Sequence, residues 1–106
     1  MSDQAEYGLR HLPIFWDDLN GAVTYVSSTL ENPAAASRLL DQTELAILDH
    51  LKNPAFATAY RGKRSRKHRY YWFAVGNHMV FYVVIGHVME VRRFPYGARD
   101  LTRVVF

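Results

Sequence analysis

Arg61, Lys63, Arg64, Arg66, Lys67 and Arg69 crowd nine consecutive positions, and Arg92, Arg93, Tyr96 and Arg99 follow as a second basic group. Such side chains hold phosphates by charge and hydrogen bonding, which gives affinity without sequence preference. Cleaving RNA without a metal asks for a base at the 2′-hydroxyl, cations for the crowded phosphate and an acid for the leaving oxygen. Arginine answers the second need, and the other two have weaker candidates. For Lys63 to Lys67 the competing reading is a solvated loop. Metal chemistry is not expected, because His68, His78 and His87 lack ligand spacing and there is no cysteine to assist. His78 and His87 sit beside predicted turns and read as surface residues. Asp17, Asp18 and Asp41 read as solvating helix exteriors. No phosphate-binding glycine loop, nucleophile elbow or paired-carboxylate pattern is visible, and no cofactor is expected.

The basic groups belong to a wider asymmetry. Residues 1–60 carry three basic and eight acidic side chains, net −5, whereas residues 61–106 carry ten basic and two acidic ones, net +8. A positive half that also holds Tyr70, Tyr71, Trp72 and Tyr96 suits a polyanion or an acidic protein. A chain of 106 residues with 49% hydrophobic content reads as one folded domain, 1–106. Without cysteine, disulfides and thiolate chemistry are excluded. Asp3 and Glu6 leave no apolar signal core, and the longest apolar run, Met79 to Ile85, is too short to span a bilayer. A cytoplasmic, soluble protein with no membrane partner is the expectation.

Two helices and a hairpin stack must position the basic groups. Glu6 to Leu12 predicts a first strand, ending at a Pro13 that suits a helix start. Phe15, Leu19, Ala22, Val26 and Leu30 then recur at helical spacing, and Gly21 weakens that helix without ending it. Asn32-Pro33 opens a second helix, with Asn32 as N-cap and Ala36, Leu39, Leu40, Thr43, Ile47 and Leu51 facing inward; Asn53-Pro54 closes it. So short a connector predicts an antiparallel helical hairpin. Arg69 to Val75, Met79 to Ile85 and Val88 to Phe94 read as strands, turned by Gly76-Asn77 and Gly86. The middle strand is apolar on both faces, Met79, Phe81 and Val83 against Val80, Tyr82 and Val84. Helices can cover one face; the other is left for the chain's own tail or a partner.

Three stretches in this order carry a family resemblance. They are Asn32-Pro33-Ala34-Ala35-Ala36 with Leu51 to Pro54, then Val75 to Tyr82, then Glu90-Val91-Arg92-Arg93-Phe94-Pro95-Tyr96-Gly97-Ala98-Arg99-Asp100-Leu101. Together they resemble the RelE/ParE toxins of bacterial toxin–antitoxin modules, and the last is similar to the family's ParE-branch ending. The resemblance runs from about Glu6 onward and implies an α+β fold. In it, a short N-terminal strand and a two-helix hairpin pack on a mostly antiparallel sheet of about four strands. It implies a growth-arresting toxin neutralised by a cognate antitoxin, acting on DNA gyrase as ParE-like members do. The alternative is ribosome-dependent mRNA cleavage as in RelE-like members, and a third reading is a binding module that keeps only the fold. Arg69, Arg93, Tyr96 and Arg99 fall on the shared motif and would be catalytic in a nuclease, with Tyr96 and Lys63 standing in for the acid–base group that residues 102–106 lack. Lys63, Arg64, Arg66, Lys67 and Arg92 would bind nucleic acid or the target. An acid-rich antitoxin segment would complement Arg61–Arg69 and Arg92–Arg99, alone or within a larger oligomer.

Overall fold

The computed structural model describes residues 6–60, 67–97 and 101. Its elements are β1 (Gly8–His11), α1 (Pro13–Thr24), α2 (Pro33–Leu51), β2 (Thr58–Ala59), β3 (Tyr70–Val75), β4 (His78–Ile85) and β5 (Val88–Arg93). Pro13 opens α1, where a missing N–H costs nothing, and Phe15 and Leu19 are buried one turn apart. Gly21 is passed without a break. After Thr24 the backbone widens into a π turn, Tyr25–Thr29, closed by the Asn32 N–H on the Val26 carbonyl at 3.0 Å. The wider turn rotates everything after it about the helix axis. Leu30, which helical spacing alone sends inward, is therefore 55% exposed.

Asn32 caps α2 as its sequence position suggests, accepting from the Ala35 N–H at 3.1 Å. Ala36, Thr43 and Ile47 are buried on the inward face, flanked by half-buried Leu39, Leu40 and Leu51. Asn32→Ala should lower the unfolding free energy by about 1 kcal/mol in urea denaturation. An unchanged midpoint would mean that the cap is not made in solution.

The sheet has the order β1-β5-β4-β3-β2. That is one strand more than the pattern suggests, because β2 is only two residues long and lies opposite Trp72 and Tyr71. The three contacts among β2, β3, β4 and β5 are antiparallel, and β1 joins β5 in parallel through the two helices. Gly76-Asn77 turns β3 into β4; its first position, at φ 59°, is one that glycine takes without strain. The main core lies between the helices and the sheet, where Phe15, Leu19 and Ile47 meet Phe73, Val80, Tyr82, Met89 and Val91. At its centre the Tyr82 hydroxyl donates to the Pro54 carbonyl at 2.6 Å, tying the loop after α2 to the middle strand. Burial, with Tyr71 nearby, pushes that phenol well above its ordinary pKa.

The second sheet face has a small core of its own. Tyr70, Phe81 and Val83 are buried there, with Tyr60, Trp72, Met79, Ile85 and Leu101 packed against them. Leu101 supplies part of that cover, so the chain's own residues shield part of this face.

Candidate functional site

The two arginines at the end of β5 serve opposite faces of the sheet, since successive strand residues point in opposite directions. Arg92 belongs to the outer face. Register aligns Arg10, Glu90, Val83 and Tyr70 across four strands, so these side chains form one row. Glu90 receives Arg10 Nε at 2.8 Å and Arg92 Nε at 2.7 Å, while Arg92 also donates to the Tyr70 hydroxyl at 2.8 Å. Burial would raise the Glu90 carboxyl, but the arginine hydrogen bonds outweigh it and hold it below its ordinary pKa. Burial would likewise lower the Arg92 guanidinium, yet Tyr70 and Glu90 keep it above the usual value.

Arg93 turns to the helical side. Its Nε and a terminal nitrogen grip Asp18 at 2.8 and 3.1 Å, a two-point clamp, and the Phe94 N–H donates to the same carboxylate at 2.9 Å. Hydrogen bonding to Asp18 raises the Arg93 guanidinium further. Asp18 is thus no solvating helix exterior, and Arg93 does not pair with Glu90. The signal was in the sequence: Asp18 occupies the i+3 slot between Phe15 and Leu19, inside the apolar stripe rather than opposite it.

Past the clamp the chain folds back on the β3–β4 turn. The Met79 N–H donates to the Pro95 carbonyl at 2.9 Å, and Gly97, at φ 59°, passes so near the Asn77 carbonyl that a Cβ would sit 3.3 Å from it. The fold-back lays Phe94 parallel to the His78 ring at 4.6 Å and stands Tyr96 on that ring edge-on at 5.0 Å. His78, read as an ordinary surface residue, is half-buried in this aromatic group. A groove of about 840 Å³ opens beside it, with Asp18, Asn77, His78, Arg93 and Tyr96 among its lining residues. Tyr25, Val26, Leu30 and Leu39 add apolar lining to it. The π turn that sent Leu30 outward put it here.

Of the expected site residues, Arg93 and Tyr96 come together in this groove and Arg92 is held on the other face. Lys67 and Arg69 are exposed just before β3. Lys63, Arg64, Arg66 and Arg99 lie outside the described residues, as does Asp100. Sequence reasoning missed Glu90, Arg10 and Tyr70, whose row depends on a pairing across 80 residues. Among the described residues no three His, Asp or Glu side chains gather in a way that could hold a metal ion. Among the described residues no helix is long and apolar enough to cross a membrane.

No family model matches this sequence. No curated protein is similar to it in sequence. Among solved structures, the chain is similar to one described as the chromosomal ParDE TA system from P. aeruginosa, with a TM-score of 0.72 over 87% of this chain and 97% of that one. The two share 10% sequence identity, so the likeness is one of fold. The RelE/ParE-like α+β architecture expected from the sequence is the one observed.

Proposed function

We propose that this chain is the toxin of a type II toxin–antitoxin pair, silenced by a cognate antitoxin and arresting growth by binding DNA gyrase. The fold and the ParE-like ending support the first part. The observation that carries the choice of target is the Asp18–Arg93 clamp. A phosphate-stabilising arginine must turn its donors to the substrate, and here a carboxylate already takes two of them. Arg92 is similarly engaged by Glu90 and Tyr70. A groove lined mainly by apolar and aromatic side chains, with a few hydrogen-bonding ones, suits a protein segment better than a reacting phosphodiester. Tyr96, 44% exposed at the rim, is the natural anchor, as tyrosines often are at interfaces.

A second reading rests on His78 and Tyr96 lying beside Arg93. In it, His78 takes the 2′-hydroxyl proton, the 2′-oxygen attacks phosphorus to give a cyclic phosphate, and Tyr96 protonates the departing 5′-oxygen. Inducible expression separates the two, with transcript ends mapped and plasmid supercoiling measured in the same cells. Growth arrest with intact transcripts and loss of supercoiling supports the gyrase reading; cut transcripts with normal supercoiling overturn it. Tyr96→Ala should stay folded and weaken target binding by about tenfold or more, the effect of losing roughly 1.4 kcal/mol at an anchor. Full toxicity in a folded Tyr96→Ala protein would remove this groove from the target site.

A further inference from the structure

A second groove, of about 480 Å³, is lined by β1, α1 and α2 and shares no lining residue with the Arg93 groove. Its floor is core: Phe15, Leu19 and Ile47 are at most 2% exposed. Its lips are not, for Trp16, Leu45 and Leu48 are 38%, 66% and 51% exposed. Large apolar side chains grouped round an open groove, rather than scattered singly, mark an interaction surface.

Charge says what kind. Asp41, Glu44, Leu45 and Leu48 stand at i, i+3, i+4 and i+7, so α2 presents two leucines and two carboxylates on one face beside its inward stripe. Those two acids are the formally charged side chains lining the groove. The other titratable group there is His11, its ring tilted against those of Phe15 and Trp16, with its pKa lowered by burial against a smaller opposing pull from Glu44. The groove thus lies within the half of the chain, residues 1–60, that carries net −5.

We infer that this groove docks an amphipathic basic helix of another protein, with leucine-like side chains entering between Trp16, Leu45 and Leu48 and lysines or arginines meeting Asp41 and Glu44. The mode is helix-in-groove, with spaced apolar anchors giving affinity and rim charges giving selection. An acidic segment suited to the +8 half has the wrong sign here. A second copy docking symmetrically would set the same acids against each other. The inference is independent of the toxin reading.

Fluorescence anisotropy on the full chain tests it, using a labelled leucine/lysine amphipathic peptide of about 14 residues, some four turns, and its leucine/glutamate counterpart. The leucine/lysine peptide should bind at least about tenfold more tightly, although bulk charge favours the acidic one. Asp41→Lys/Glu44→Lys should erase that preference, and Leu45→Asn/Leu48→Asn, both at exposed sites, should weaken binding about tenfold or more with thermal unfolding unchanged. Tighter binding of the acidic peptide overturns the proposal, as does binding indifferent to both variants. A wild-type dimer in sedimentation that the leucine variant dissolves would also overturn it, because the occupant would then be a second copy.

Discussion

Asp18→Ala should cost about 3 kcal/mol of unfolding free energy, the value for removing one partner of a largely buried ion pair. For a domain of this size the melting temperature should fall by about 10–20 °C. The pair is shielded, with side-chain exposures of 18% for Asp18 and 16% for Arg93, so solvent screens it little. Alanine also strips the Phe94 N–H of its acceptor. The unpaired Arg93 charge is then the main penalty, and this gives the test its sign. Adding Arg93→Ala to Asp18→Ala should cost less than the two single changes summed, with a coupling of about 1–3 kcal/mol. Asp18→Asn keeps the shape and one acceptor oxygen and should lose about half as much as alanine. Additive single changes in urea denaturation would show that Asp18 and Arg93 do not hold one another in solution. On the toxin reading proposed above, because Asp18 also aims the strand end that carries Phe94 and Tyr96, Asp18→Asn should lose toxicity at temperatures where it is still folded.

Removing the carboxylate at Glu90 should have the next largest effect, about 2–4 kcal/mol for Glu90→Ala. Its side chain is 7% exposed between Arg92, at 23%, and Arg10, at 52%. The Arg92 arm carries most of the loss, since the half-exposed Arg10 arm is screened. The same carboxylate sets an acid limit. Its folded pKa lies below the ordinary glutamate value of 4.5, so its contribution is complete above pH 4.5 and is lost as pH falls through the folded value. Glu90→Gln should therefore be less stable than wild type at pH 7, with the gap closing below pH 4.5. Raising salt should weaken the Arg10 arm and leave the Arg92 arm nearly intact. Parallel loss of stability in wild type and Glu90→Gln between pH 5 and pH 3 would mean that another group governs acid unfolding.

What the sequence by itself determined is what neighbouring residues decide among themselves. Asn32-Pro33 and Asn53-Pro54 bound α2 because a side-chain cap and a missing N–H act within one turn. Gly76-Asn77 and Gly86 mark both hairpins for the same local reason, and period-two alternation marks β4 as apolar on both faces. Arg93 and Tyr96 stood out as part of a basic group, and the two helices and hairpin strands from periodicity; the resemblance tied these residues to one family ending. Tertiary structure alone decided which charges meet. Arg92 and Arg93 are neighbours in sequence and similar in chemistry, yet strand alternation gives one to Glu90 and Tyr70 and the other to Asp18. The Asp18–Arg93 clamp joins residues 75 apart, and the Arg10–Glu90 bridge joins residues 80 apart. They depend on β1 pairing in parallel with β5 and on α1 packing against β5, a closure that no short window of sequence encodes. Even Leu30 needed the whole fold. Its helical spacing points inward, but the π turn before it rotates the chain, so a side chain with a core residue's periodicity lines the groove.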